Sequence, residues 1–446
     1  MESLQAERDV VLHSWCVQSD WDAPTVVGGR GARLLLEDGR EVLDMSSLAE
    51  CANLGHQHPR LVEAIRRQAG ELCFVTSSWG ARPRAELATR LLELGGFEGG
   101  RVFFTLSGAD ANENAVRIAR LAAGRPRGAI VTRERSYHGA TELGMALSGD
   151  SRCRPFGPPA QYGVLRVPPP YAYRCPFGTG SPEACAARAV GAVAEAIDTA
   201  GPDGVAAVMM EPNAGTNGIV APDAYWPALR EVTRARGTWL VADEVMSGFG
   251  RCGEWFAWQR HGEGGRPDLM TLAKGLTGSA IPLAAVVIGE DVARRVEGQM
   301  LNTGLTYCGH PLACAAGVAA LDTYRDEKLI ERSRRLGAAM YQTLGRMASH
   351  HAVIGDVRGG HGLFAVVELV ADRATREPLA PWPQQPPALA RLLRAAMEQG
   401  ISFAARGNLL ILAPPLVIDE AGLDEALSLL DRLLGRFFPP SPEATP

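Results

Sequence analysis

Lysine is nearly missing from this chain. Of its 45 basic residues only Lys274 and Lys328 are lysines, and the rest are arginines. Long apolar runs are missing too. None approaches the roughly 20 residues that a membrane-spanning helix needs, and the Met1 to Val10 start carries Glu2, Glu7 and Asp9 where a secretory signal would place positive charge and then an apolar stretch. A soluble, cytoplasmic protein is expected. The nine cysteines include no CxxC pair and no histidine at zinc-ligand spacing, so reduced thiols are expected and a metal site is not. A one-signed charge surplus is absent as well: the net charge is -5 and arginine is spread along the whole length, which argues against nucleic acid or an anionic membrane as partner and for a small substrate. There is no internal repeat.

What is present is enough for a large core. With 446 residues, 46% of them hydrophobic, the chain can build more than one domain. Arg33 to Met45 reads as two short strands around the turn Glu37-Asp38-Gly39-Arg40. Pro59 to Leu72 has helical apolar spacing. From about residue 100, apolar runs (VFFTL, GAIVT, VAAVMM, TWLVADEV, DLMTLA, LAAVVIG) alternate with helical patterns at Ala111 to Ala123 and Trp226 to Arg236. That alternation predicts an α/β fold, a large domain with a mostly parallel sheet covered on both faces. Beyond about 310, helices precede DVRGGHGLFAVVEL and NLLILAPPLVI, read as strands, and a helix over Leu423 to Phe437, which predicts a smaller α+β domain. The expected division is 1–55 as an N-terminal segment joining the small domain, 56–310 as the large domain, 311–437 as the small domain and 438–446 as a frayed tail. PLAPWPQQPP at 378–387 reads as a surface loop.

Four stretches could carry chemistry. In TLAKGLTG, Lys274 follows an apolar run and precedes Gly275 and Gly278, which permit close backbone approach or unusual dihedrals. An amine there is costly to keep charged, and a neutral amine can condense with an aldehyde and move protons, which arginine cannot do. The plain alternative is a salt-bridged or snorkelling lysine, as Lys328 in RDEKLIER suggests for itself. In TWLVADEV, Asp243 and Glu244 close a strand where open α/β sheets place ligands; the pair could bind metal, form a solvated turn, or set Asp243 against a ring nitrogen with Val245 on a ring face if the strand continues. In RVFFTLSGADANENAVRIAR, a Ser107-Gly108-Ala109 turn opens a helix near Asp110, a place suited to phosphate but common in ordinary turns. In RERSYHGAT, Tyr137 could stack on a heterocycle or belong to the core, and His138 reads as support rather than catalyst.

Their order is more telling: SGA, YHG, EPNAGTNG (211–218), DEVMSGFGR, AKGLTG and TGLTYCGHP (303–311). This succession resembles the class III, or omega-, aminotransferases over residues 30 to 435, and the resemblance implies the type I fold of pyridoxal 5'-phosphate (PLP) enzymes. By that resemblance Lys274 bonds the cofactor aldehyde and shuttles the proton, and Asp243 pairs with the pyridinium nitrogen. Val245 and Tyr137 lie on opposite ring faces, while Ser107, Gly108 and Ala109 hold the phosphate. Thr306 reaches the phosphate of a neighbouring subunit, so a homodimer, possibly paired into tetramers, is implied. Glu211 matches a glutamate near the ring hydroxyl that orients a water or a gating arginine. One departure is Leu106, where a polar residue often precedes the Ser-Gly turn. The implied reaction moves an amino group from an omega-amino donor to an oxo acid such as pyruvate or 2-oxoglutarate by ping-pong steps. An aminomutase or amino-acid racemase, or a non-catalytic binding subunit, are the alternatives on this fold.

The substrate is less legible. Ornithine-type members carry an arginine three residues before a Pro-Pro pair, here Ile411; many amine-pyruvate members carry it ten before, here Ala404. Arg406, eight before Pro414, resembles the taurine-pyruvate branch, as do NLGHQHP (53–59) and YAYRCPFG (171–178). Arg406 suits a sulfonate or carboxylate, or is only solvated. Glu50 either favours a second amine or a hydroxyl on the donor and repels a sulfonate, or pairs with an arginine such as Arg406. Trp79 and Trp15 are pocket candidates by resemblance, and core residues otherwise.

Overall fold

The computed structural model describes residues 7–201 and 203–439; positions 440–446 of the expected tail lie outside the described residues. Seven strands form the central sheet in the order 101–105, 284–288, 269–272, 239–243, 205–210, 129–133, 164–167. Strand 284–288 runs antiparallel to both neighbours and the rest run one way, so the sheet is mostly parallel as expected. Its central strands Val205–Met210 and Leu269–Leu272 are buried at every position, which is why they read as continuous apolar runs rather than alternations.

Helices start where side chains can cap them. Ser107, Thr141, Ser181 and Asp419 each accept a hydrogen bond from the backbone N–H three residues on, satisfying one donor of the first turn. The helix expected near Asp110 therefore begins at Gly108, with Ser107 as its cap.

A meander of strands Val26–Arg30, Arg33–Leu36 and Glu41–Asp44 is completed by Ile401–Ser402, which pairs parallel to Leu43 and Asp44. The N-terminal segment thus closes onto the C-terminal third of the chain. DVRGGHGLFAVVEL is not one strand: it folds at Gly359-Gly360, whose φ values are 117° and 88°, into antiparallel strands Ile354–Gly359 and Ala365–Asp372. Strands Leu409–Leu412 and Ala404–Arg406 extend that sheet. The loop around 378–387 is more than surface: Trp382 is half-buried and lies under two arginines, Arg135 at 3.9 Å and Arg406 at 5.5 Å from its ring centre.

Candidate active site

Lys274 stands just past strand Leu269–Leu272, with φ of 43° in the left-handed region. Both glycines after it are required. A Cβ on Gly275 would lie 2.7 Å from Asn53 Nδ2 and 2.8 Å from Phe249 Cβ, and Gly278 holds φ of 56° against Leu54. The lysine loop is thereby pressed against residues 50–54, and Lys274 Nζ donates to Glu50 Oε2 at 3.2 Å. This corrects two expectations. The amine is not isolated among apolar groups, and the partner of Glu50 is Lys274 rather than Arg406.

The Glu50 turn is held from two sides. Ser47, Leu48 and Glu50 all have positive φ, of 48°, 60° and 51°, a conformation that must be enforced by neighbours. Asp44 enforces it from below: its carboxylate accepts from Ser46 N and Oγ, Leu48 N and His56 Nε2. Burial pushes the Asp44 carboxyl up, but those bonds outweigh it and hold the group below its ordinary range. Arg251, fully buried, donates to Ser47 Oγ, Asn53 Oδ1 and the carbonyls of Leu363 and Pro414, which ties the turn to the C-terminal sheet.

Asp243 ends strand Trp239–Asp243, whose neighbour in register is Thr271, three residues before Lys274. The strand does not continue to Val245; the backbone turns, and Val245 N donates to Asp243 Oδ1 at 3.0 Å. Asp243 Oδ2 accepts from Asn112 Nδ2 at 2.7 Å and lies 2.7 Å from His138 Nδ1, while Asn112 Oδ1 accepts from Thr271 Oγ1 at 2.7 Å. His138 is a support for Asp243. The acid pair is split: Glu244 turns away to Ser247 Oγ and Trp258 N, and neither carboxylate is a solvated turn.

Beside Asp243 lies the start of helix Gly108–Ala122. A Cβ on Gly108 would meet Val245 Cγ1 at 2.9 Å, and one on Gly139 would meet Ala109 Cβ at 2.5 Å, so Ser107-Gly108-Ala109, Val245 and the Tyr137-His138-Gly139 turn are packed together. Trp15 meets Tyr137 edge-on at 6.1 Å, and Arg152 covers both rings. Glu211 is buried against Arg133 at 3.2 Å; burial pushes its carboxyl up, and Arg133 pulls the other way.

Arg406 donates to Asp150 at 2.6 Å, and Asp150 also accepts from Arg152 and Asn217. Arg406 is therefore not merely solvated: its side chain is held by Asp150. Two expected residues are not gathered within one chain: Trp79 is 69% exposed and Thr306 is exposed. Asn112, Arg133, Asp150 and Arg251 have site contacts that the sequence reading missed. The signal available for Asn112 was a polar residue on the buried, alanine-rich face of its helix.

An amine, an anion on the adjacent strand end and a helix start that opens on Gly108 fit an aldehyde, a ring nitrogen and a phosphate respectively. The model of the family described as Aminotransferase class-III matches residues 18–434. The chain belongs to the class-III aminotransferases. It is a PLP-dependent enzyme of that family, with the expected fold. Among its relatives, the putrescine–pyruvate aminotransferase of Pseudomonas aeruginosa is 33% identical over 92% of this chain and 90% of its own length. The leucine/methionine racemase of Thermococcus litoralis is 33% identical, covering 92% and 91%. The crystal structure of taurine:2-oxoglutarate aminotransferase from Bifidobacterium kashiwanohense, in complex with PLP and glutamate, superposes with a TM-score of 0.90 at 33% identity, over 98% of this aminotransferase and 97% of that chain.

Proposed function

We propose that this aminotransferase takes an amino group from an omega-amino donor (taurine, β-alanine or a related amine) and passes it to an oxo acid such as pyruvate or 2-oxoglutarate by ping-pong steps, with Lys274 and Asp243 as its catalytic pair. The observation that carries the reading is the convergence of Lys274 and Asp243 at adjacent parallel strand ends, beside the Gly108 helix start.

Bound to Lys274, the cofactor would supply an electrophilic ring that takes up the charge left when a proton leaves the donor carbon. Lys274 Nζ would remove that proton and return it. Asp243, oriented by His138 and Asn112, would hold an anion toward the ring nitrogen, with Val245 and Tyr137 lining the two ring faces. Ser107, Gly108 and Ala109 would offer backbone N–H groups to the phosphate at the positive end of the helix. Glu211 would stand on the side of the ring hydroxyl, oriented by Arg133. Arg406 would bind a substrate anion in competition with Asp150. We place residues 56–310 in a large domain, and 1–55 with 311–437 in a small one.

Thr306 would serve the phosphate site of a second copy, which makes a homodimer the working unit. In support, Leu305, Tyr307 and Trp79 are exposed apolar groups on one surface, where Arg84 donates to the carbonyls of Gly309, Trp79 and Val75 and Phe74 meets Tyr307 at 5.4 Å. We also assign the enzyme to the cytoplasm; among the described residues no helix is long and apolar enough to cross a membrane.

The test is optical and stoichiometric. The bound-cofactor absorption should bleach with an amine donor and return with an oxo acid, and Lys274→Ala and Lys274→Arg should both fail to turn over. Isomerisation, the activity in the racemase relative's name, would instead proceed without any oxo acid. Product formation with no acceptor consumed would replace transfer by that second reading.

A further inference from the structure

The Glu50 carboxylate is in an unusual position. Its side chain is only 10% exposed, and the one hydrogen-bond donor to it among the described residues is Lys274 Nζ. Arg251 lends positive charge from behind, yet its NH1 and NH2 groups donate to Leu363 O, Pro414 O, Ser47 Oγ and Asn53 Oδ1, none of them on Glu50. For amino transfer, Lys274 Nζ must give itself to the cofactor aldehyde. A nearly buried carboxylate then loses its hydrogen-bonded cation, which is unfavourable unless another takes its place. The vacated partner position is the one that Lys274 Nζ holds here, 3.2 Å from Glu50 Oε2.

The anion-binding side is already filled. Arg406 is engaged by Asp150 at 2.6 Å and lies over Trp382, and Asp150 takes further bonds from Arg152 and Asn217, so a sulfonate or carboxylate must displace an internal ion pair to use it. While Lys274 is bonded to the cofactor, an ammonium entering beside Glu50 breaks no internal ion pair.

We infer that Glu50 is a specificity-determining residue that receives a second ammonium group of the donor, so that diamines are the preferred amino donors. This rests on the amino-transfer reading and goes beyond it by naming the donor class. The rival role for Glu50 is holding the Lys274 ammonium, which would serve all donors alike.

The experiment uses holoenzyme without acceptor and follows bleaching of the bound cofactor by 1,4-diaminobutane, butylamine, β-alanine and taurine, in the parent, Glu50→Gln and Glu50→Asp. Cofactor occupancy of each variant is measured first. The parent should favour the diamine over butylamine, and Glu50→Gln should cut that ratio by about tenfold or more, the loss of one charge-assisted hydrogen bond, while Glu50→Asp retains part of it. A binding readout runs beside it: N,N,N',N'-tetramethyl-1,4-diaminobutane, which keeps two charges but cannot condense, should compete with butylamine in the parent and not in Glu50→Gln. A diamine-to-butylamine ratio unchanged in Glu50→Gln overturns the inference and leaves amino transfer standing. A cofactor-loaded parent that no amine bleaches overturns the transfer reading, and this inference with it.

Discussion

Two adjacent carboxylates, Asp243 and Glu244, show how far one residue of separation changes chemistry at this strand end. Asp243 is held by Asn112 and His138; Glu244 is buried and turned to Ser247 and Trp258. Burial pushes the Glu244 carboxyl up to about 7; hydrogen bonds from Ser247 and Trp258 offset this only in part, and the Asp243 charge adds to it. Its folded-state value lies above the ordinary one, so the folded protein holds the extra proton. The stability this confers is fully present below the ordinary carboxylate range and is lost as pH rises toward 7. Glu244→Gln should therefore flatten the pH dependence of thermal stability across that window and gain on the order of 1–3 kcal/mol at the alkaline end; a slope equal to the parent's would contradict this. At this scale Lys274 and Asp243, which the structure brings to adjacent strand ends, were conspicuous in the sequence because their residue types are out of place, one amine among arginines and one anion at an apolar strand end. Asn112 and Arg251 were not, because their partners lie 131 and 163 residues away and an arginine in an arginine-rich chain attracts no notice.

The elements were read well where burial is complete and poorly where it is shared. Strands such as Val205–Met210 announce themselves as apolar runs, whereas the short edge strand Val164–Val167 contains Arg166, and helix Pro182–Asp198 is alanine-rich with no sharp polar face. Strand Trp239–Asp243 illustrates a limit of periodicity. Alternation placed Val245 beside Asp243 by extending the strand, but the chain turns at Glu244, and it is packing on Gly108 that brings Val245 to the site. Gly108→Ala should thus push a methyl into Val245, costing about 1–3 kcal/mol as overpacking does, and should lower cofactor occupancy measured by absorbance. Full occupancy with unchanged stability would show that the helix start is not closely packed there.

At the scale of the whole molecule, the site is a meeting of segments distant in sequence, and Arg251 is where they are fastened. It joins the N-terminal turn, the strand-end loop after Asp243 and the C-terminal carbonyls of Leu363 and Pro414. Arg251→Ala should lower unfolding stability by about 3 kcal/mol or more, since several buried acceptors lose their donor together; a loss under half of that in urea denaturation would remove it from this role. The pairing of Ile401–Ser402 with Leu43 and Asp44 brings the two ends of the chain together, and the residue that locks them was not legible in the sequence. The central claim can be tested directly. Cofactor-saturated protein is reduced with borohydride, digested and mapped by mass spectrometry. A pyridoxyl adduct on Lys274 is the expected result; an adduct on Lys328 alone, or on neither lysine, would contradict the account.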